Sequence, residues 1–191
     1  MCSATIAENH LLPVIEQMLA QFPFEILGFH ADNGSEYVNH RVAKMLEKLR
    51  VEFTRSRPRR SNDNGLAETK NGAVVRKMFG YEHIAQRHAR RFNTFCVEFL
   101  NPFLNFHRPC LFATEVADPK KPGRIKRVYR PKDAMTPLDK LASLPEAVKF
   151  LREGVTLEEL QQLARALSDV QAAQELSDAR AALFRRVPAR P

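Results

Sequence analysis

Two carboxylate side chains, Asp32 and Glu68, stand out because each lies in a distinctive local sequence. Asn33 and Gly34 follow Asp32 directly, and 35 residues separate it from Glu68, which comes shortly after Asn64. Carboxylate oxygens suit Mg²⁺, and two such ions can activate an attacking hydroxyl and stabilise the leaving oxygen at a phosphate. The order of these residues therefore predicts a divalent-metal site that cuts or joins DNA, with Asn33, Gly34 and Asn64 in supporting roles.

Both acidic residues also have a purely structural interpretation. Asn33-Gly34 is a strong turn signal, because Asn and Gly readily adopt positive φ. Glu68 is expected in the first turn of a helix, where a carboxylate interacts favourably with the helix dipole. His30, just before Asp32, is interpreted as a strand-end packing residue, with metal or DNA contact as the alternative.

A βαβ unit is predicted to position the two acids. Apolar spacing predicts a helix over residues 8–21, followed by a short buried strand over Phe24–Phe29. Val51–Thr54 alternates apolar and polar residues, as a second strand does. Strand, helix and strand in this order form part of a sheet with helices packed on it. The helix between the strands is defined by Val38, Val42, Met45, Leu46 and Leu49.

A basic loop joins the second strand to the helix that carries Glu68. Pro, Asn and Gly between residues 55 and 65 disfavour regular structure, and the next helix is expected from near Gly65 to Gly80. The cations of this loop and helix are predicted to contact DNA phosphates, although a merely solvated cationic surface is the alternative. They are Arg55, Arg57, Arg59, Arg60, Lys70, Arg76 and Lys77.

The charge of the chain is unevenly distributed. Residues 1–132 contain 22 Lys and Arg against 13 Asp and Glu, whereas residues 133–191 contain 8 against 9. Since Lys and Arg release counterions when they neutralise phosphates, the basic part predicts a polyanion partner. The sequence has no apolar run of membrane-spanning length and no secretory signal pattern, so a cytoplasmic protein without a membrane partner is expected. Three scattered cysteines without a CxxC pair argue against a disulfide framework or a zinc site.

The rest of the chain predicts helices on either side of a charged segment. A helix over 83–106, kinked or interrupted near Pro102, is expected to turn its phenylalanines towards the core rather than towards nucleic acid bases. Residues 117–132 are predicted as a basic linker that could contact phosphates, and Tyr129 within it could stack on a base. The phenylalanines are Phe92, Phe95, Phe99 and Phe103.

Two capping boxes predict the starts of C-terminal helices. Ser143–Glu146 is expected to open one helix, which Gly154 ends, and Thr156–Glu159 to open another. The second carries a short leucine-rich stripe that suits packing on the body or on a second subunit. The predicted organisation is a core over 1–116, a basic linker over 117–135 and a helical extension over 136–191. The stripe consists of Leu160, Leu163, Leu167 and Val170.

Taken together, these residues resemble the catalytic core of DDE transposases and retroviral-type integrases, above all bacterial insertion-sequence transposases. The resemblance covers about two-thirds of the chain, from near Leu12 to Lys140. It implies a ribonuclease-H-like α/β fold in which three acidic residues bind two Mg²⁺ or Mn²⁺ ions, with Asp32 as the second acid and Glu68 as the third. The matching segments are Asp32–Tyr37, Thr54–Pro58, Asn62–Gly65 before Glu68, and Lys70-Asn71.

One departure from the family concerns its first acid, which lies on the first strand. No Asp precedes Asp32 here, and the earlier acids Glu8, Glu16 and Glu25 are not expected on such a strand. We therefore expect a ribonuclease-H-like core lacking its first strands, the C-terminal part of a transposase, followed by a helical extension.

The expected function is DNA binding and divalent-metal-dependent strand cleavage and transfer, as in DNA integration and transposition, with the chain inactive alone because the first acidic ligand is absent. The alternative is a catalytically silent DNA-binding or oligomerising remnant. Expected partners are transposon-end and target DNA and, in the full-length form, further copies of the protein.

Overall fold

The computed structural model describes residues 8–31, 40–57, 65–119, 121 and 123–185. The chain divides into two compact units, one over the described part of Met1–Thr94 together with Leu183–Pro191, the other over Phe95–Ala182. This division differs from the expected boundaries near residues 116 and 135, because the second unit begins inside a long helical run. None of the helices in these described ranges combines the length and the apolar character needed to cross a membrane.

The first unit contains the predicted βαβ arrangement. Helix α1 (Glu8–Ala20) precedes strand β1 (Gly28–Ala31), helix α2 (His40–Lys48) and strand β2 (Glu52–Arg55). β1 and β2 pair in parallel, with Gly28 opposite Glu52 and Ala31 opposite Arg55. Both helices and the second strand are confirmed, except that Val38 lies outside the described residues.

The core of this βαβ arrangement is formed by apolar side chains from α1, α2 and the residue just before β2. Val42 and Leu46 are fully buried, and Ile15 and Val51 nearly so. Because burial of each large aliphatic side chain contributes about 1.5–3 kcal/mol, this cluster is the main stabilising contact between the helices and the strands. Partly buried residues packed around it are Leu12, Leu19, Ile26, Phe29, Met45 and Phe53.

The first strand differs from its prediction. The regular pairing begins at Gly28 rather than Phe24, and the strand is mostly exposed, with Ala31 its one buried residue. The reason is register: β2 is four residues long and pairs with Gly28–Ala31, and the Glu52 amide donates to the Leu27 carbonyl oxygen at 2.8 Å, so Leu27 marks the start of the pairing.

The helix predicted from Gly65 to Gly80 is confirmed. It comprises α3 (Gly65–Lys70), a π-helical segment (Asn71–Arg76) and α4 (Lys77–Phe79). Gly80 ends it with φ of 78°, a region that glycine adopts without steric strain.

A long helical run follows, and it continues through Pro102. A 3₁₀ turn (Gln86–His88) leads into α5 (Ala89–Phe95) and then into π-helical segments at Cys96–Leu100 and Phe103–His107. The predicted interruption at Pro102 is wrong, because its φ of −57° and ψ of −46° are helical. The predicted kink stays a prediction. The wider π-helical turns on both sides change the hydrogen-bonding pattern around the missing proline N–H. Phe92 and Phe95 are buried, as predicted, and Phe99 and Phe103 are half-buried.

The predicted basic linker is part of a β-hairpin. Strand β3 (Cys110–Ala117) pairs antiparallel with β4 (Ile125–Met135), with a register shift between Leu111 and Ala113. Pro and Gly, which indicated a linker, lie mainly in the turn between the strands. The Asp118 amide donates to the Arg124 carbonyl oxygen at 2.8 Å and helps to close that turn.

Among the described residues, the last three α-helices are α6 (Pro137–Ala142), α7 (Leu157–Arg165) and α8 (Asp169–Arg185). The second unit includes α8 up to Ala182, and the residues from Leu183 onward belong to the first unit. The capping box at Thr156 and Glu159 is confirmed, with both reciprocal hydrogen bonds present. The one predicted at Ser143 is wrong, because Ser143 instead ends α6, whose start is capped by Thr136. The predicted leucine stripe is not on one helix: Leu160 and Leu163 lie in α7, Leu167 in the connection and Val170 in α8. Leu163 and Val170 are exposed.

Candidate functional site

The candidate site lies at the carboxyl end of the parallel strand pair. In open α/β sheets ligands bind outside the carboxyl ends of the strands, where loops can converge on one point. Ala31 and Arg55, the last residues of β1 and β2, lie opposite each other. The Ser56 amide donates to the Ala31 carbonyl oxygen at 3.1 Å, which extends the pairing by one residue. The segments that follow β1 and β2 therefore leave from adjacent points.

His30 fixes this end of the strand pair by two hydrogen bonds. Its Nδ1 lies 2.9 Å from the Thr54 hydroxyl, and its Nε2 lies 3.2 Å from the Ser56 hydroxyl. Because a neutral imidazole has one donor and one acceptor nitrogen, and a hydroxyl can take either role, both contacts can form at once. Ser56 is 5% exposed, so this contact satisfies a buried polar group.

These partners of His30 were not predicted. The interpretation of His30 as a strand-end residue agrees with its position, but Thr54 and Ser56 were not assigned to it. The signal was present in the alternation of Thr54 and Ser56, which places both hydroxyls on one face of an extended segment. Only the register of the strands identifies that face as the one facing His30.

Glu68 lies in the first turn of α3 and is exposed to solvent. Its predicted position in the helix is confirmed. The neighbouring Thr69 hydroxyl donates to the Gly65 carbonyl oxygen at 2.7 Å within the same turn. An exposed carboxylate at this position can bind a cation while the helix stays intact.

Several predicted site residues lie outside the described residues. These are Asp32, Asn33, Gly34, Arg59, Arg60 and Asn64; Arg55 and Lys70 belong to described elements, but their side chains are outside the description. Asp32 follows Ala31 directly in the sequence.

Three of the cations predicted to bind DNA have described side chains, and their surroundings differ. Arg57 is exposed directly after Ser56, and Lys77 is exposed at the start of α4. The Arg76 guanidinium lies 5.2 Å from the centre of the Tyr81 ring, in a cation–π contact. Arg76 thus has a structural partner, whereas Lys77 shows no such ring contact within the described residues.

Metal ligation can be assessed for the described residues. Among them, no group of three or more His, Cys, Asp or Glu side chains is placed to hold a metal ion. The predicted pair includes Asp32, which is not in that set. The donor chemistry itself fits Mg²⁺, since carboxylate oxygens are its usual protein ligands. The assignment of Mg²⁺ to Asp32 and Glu68 stays a prediction.

Two other histidines, His88 and His107, are buried, and each has a polar neighbour. His88 accepts a hydrogen bond from the Arg87 Nε at 3.1 Å; burial lowers the pKa of His88, and the positive charges of Arg87 and Arg91 lower it further. In the second unit, His107 Nδ1 contacts Asp169 Oδ1 at 3.0 Å and links a π-helical segment to the start of α8. Each of these two histidines therefore has a structural role, because its polar ring is buried with a hydrogen-bond partner.

Comparison with known proteins gives one informative match. The chain is 39% identical over 71 residues to Uncharacterized protein y4rM of Sinorhizobium fredii (strain NBRC 101917 / NGR234). The match spans 37% of this chain but only 20% of that protein's length. No protein-family model and no solved structure matches the chain. The ribonuclease-H-like fold and the transposase resemblance stay predictions.

Proposed function

We propose that the chain is a catalytic-domain segment of a DDE-type transposase or integrase, which binds DNA and takes part in divalent-metal-dependent strand cleavage and transfer. The observation that carries the proposal is the parallel strand end at Ala31 and Ser56. The sequence continues from this end into Asp32 on one strand and into the basic loop before Glu68 on the other.

In this proposal each group has a separate task. Asp32 and Glu68 would hold Mg²⁺ or Mn²⁺, which would supply Lewis-acid chemistry at the phosphate and the attacking hydroxyl. His30, through its bonds to Thr54 and Ser56, holds the strand end from which Asp32 follows. The exposed Arg57 and Lys77 contact phosphates and orient the DNA backbone.

The proposal includes a limit on activity. The polypeptide of 191 residues offers two of the three acids that the resemblance implies. By itself it is therefore expected to bind DNA, in the cytoplasm at the nucleoid, and to leave the strands intact. Transposon ends and target DNA are the proposed partners, with further copies of the full-length protein.

A second candidate is a catalytically silent remnant that binds DNA or oligomerises. It is favoured by the lack of an Asp before Asp32 in the sequence and by the concentration of basic charge in residues 1–132. Binding to DNA without a metal requirement distinguishes this candidate from the first.

The test is incubation of the purified chain with a transposon-end duplex and Mn²⁺, with nicked strands resolved on a denaturing gel. Nicking that disappears in Asp32→Ala would show that the chain alone is an enzyme and would overturn the expected limit on activity. Binding without nicking that Mn²⁺ strengthens in the wild type but not in Asp32→Ala would support the first candidate. Binding that Mn²⁺ does not affect, weakened by added salt and by Arg57→Ala with Arg59→Ala, would support the silent remnant. Absence of binding at low salt would contradict both candidates.

A further inference from the structure

The β3–β4 hairpin carries cations on both of its faces and in its turn, and the proposed metal site does not use them. Its described residues include six Lys and Arg against three acids, and five of the six cations are exposed. A ribbon of such charge attracts polyanions through counterion release. The cations are Lys121, Arg124, Lys126, Arg127, Arg130 and Lys132, of which Arg130 is half-buried.

One face of this hairpin also carries uncovered apolar groups. Tyr129 is 60% exposed and Ile125 is 64% exposed. They lie opposite Ala113 and Ala117 in the antiparallel register, and directly opposed residues project from the same face. Because both partners are alanines, the opposite strand provides little side-chain cover for the Tyr129 ring.

An acidic residue partly neutralises the one positive charge that lies between Ile125 and Tyr129 on this face. Arg127 lies between Ile125 and Tyr129 on the same face, opposite Glu115, and its Nε is 3.3 Å from Glu115 Oε1. Both side chains are exposed, so the pair contributes little to stability. Glu115 instead weakens the attraction of this face for a phosphate.

We propose that the face formed by Ile125, Arg127 and Tyr129 binds single-stranded DNA, with an unpaired base stacked on the Tyr129 ring and a backbone phosphate at the Arg127 guanidinium. Aromatic rings next to basic side chains recognise unpaired bases in this way. A base inside a duplex has its faces covered by neighbouring bases, so an exposed ring favours an unpaired strand. This inference rests on the hairpin and not on Asp32 and Glu68.

The test is fluorescence anisotropy of a labelled oligothymidylate with the full chain, in the presence of EDTA so that metal chemistry cannot contribute. Tyr129→Leu is expected to weaken binding of the single strand more than binding of a duplex of equal length at the same salt concentration. Tyr129→Ala and Tyr129→Leu should weaken binding by about fivefold or more, whereas Tyr129→Phe, which keeps the ring, should stay within about twofold of the wild type.

Two further variants sharpen this test. Tyr81→Ala is the matched control, because Tyr81 is 83% exposed but already carries the Arg76 guanidinium over its ring, so no change is expected. Glu115→Gln should tighten binding by about two- to fivefold, since it removes a negative charge beside Arg127.

Three results would overturn the inference: unchanged single-strand binding in Tyr129→Leu, an equal loss of single-strand and duplex binding in that variant, or equal competition by polyglutamate and oligothymidylate at matched charge. Thermal unfolding of each variant shows whether a loss of binding reflects loss of the fold. If Tyr129→Ala unfolds, the comparison of Tyr129→Leu with Tyr129→Phe decides. Because EDTA is present throughout, the outcome is independent of the metal-binding proposal, and a failure of either leaves the other intact.

Discussion

The two strand pairs of this protein organise polar chemistry in opposite ways. The parallel pair β1–β2 places its polar groups at one end, where His30 joins the hydroxyls of Thr54 and Ser56. The antiparallel pair β3–β4 places them along a face, where Arg127 and Tyr129 project beside each other. The first arrangement suits a point-like site for one reacting phosphate, and the second suits an extended strand.

The difference follows from how each pair is stabilised. β1 and β2 are joined through α2 and share the buried cluster that contains Val42 and Leu46. The hairpin strands are adjacent in sequence and need only a turn between them, so much of their surface stays exposed. A buried scaffold can hold a site with defined geometry, whereas an exposed ribbon can bind a flexible partner.

The largest effect is expected from removing the buried side chain that supports the parallel pair. Leu46→Ala leaves a cavity in a fully buried position and should lower the free energy of unfolding by about 2–5 kcal/mol. Leu111→Ala in the hairpin, at a residue that is 52% exposed, should lower it by less than about 1 kcal/mol. Urea unfolding followed by circular dichroism measures both. Equal losses would contradict the claim that the two pairs are stabilised differently.

A smaller effect is expected at the strand end itself. His30→Ala removes two hydrogen bonds and leaves the buried Ser56 hydroxyl without its imidazole partner, which should cost about 1–3 kcal/mol. Thr114→Val breaks the single 2.9 Å bond from Thr114 to Asp133 in the hairpin and should cost about 1 kcal/mol. The same unfolding measurements apply. A smaller loss in His30→Ala than in Thr114→Val would show that His30 does not hold the strand end.

Much of the parallel pair could be predicted from the sequence, because its signals are local. The spacing of Val42, Met45 and Leu46 indicates a helix, and the alternation in Val51–Thr54 indicates a strand. The true limits of β1 could not be predicted, since they depend on the length of a partner strand that is distant in the chain. The contact of His30 with Ser56 depends on the same register.

The hairpin was harder to predict because its strands lack apolar alternation. β4 is rich in charged residues, and a charged segment near Pro and Gly resembles a linker. Strand pairing with β3 overrides that local preference. At Ser143 a local signal failed for a related reason: Thr136 and Pro137 start a helix six residues earlier, and Ser143 ends it.

The affinity for duplex DNA is expected to depend more on the cations near the strand-end site than on positive charge elsewhere in the chain. Arg57→Gln with Lys77→Gln should weaken binding by up to about tenfold and reduce its salt dependence, since each lost phosphate contact changes the salt slope by about 0.9. Lys149→Gln with Arg165→Gln removes the same charge from exposed positions of the second unit and serves as the control. Anisotropy titrations over a range of salt concentrations measure both. Identical salt slopes would show that only total charge matters.

The smallest expected effect is a change of stability with pH, which arises from His88 in the first unit. Because the pKa of His88 is lowered from its usual 6.5 in the folded protein, the unfolded chain binds more protons near that pH. Stability is therefore complete above pH 6.5 and should decrease as the pH falls below it. His88→Gln, which keeps an acceptor for Arg87, should flatten this dependence between pH 7.5 and 5.5. An unchanged profile in thermal unfolding would contradict the assignment to His88.

The central claim, that Asp32 and Glu68 share one divalent-metal site, is tested most directly by Mn²⁺ binding followed by the electron paramagnetic resonance signal of the free ion. Wild type, Asp32→Asn, Glu68→Gln and the double variant form a complete cycle. The account predicts that the wild type binds Mn²⁺, that each single variant weakens binding strongly, and that the double variant binds little more weakly than either single one. Binding that is unchanged in both single variants, or losses that simply add, would contradict it.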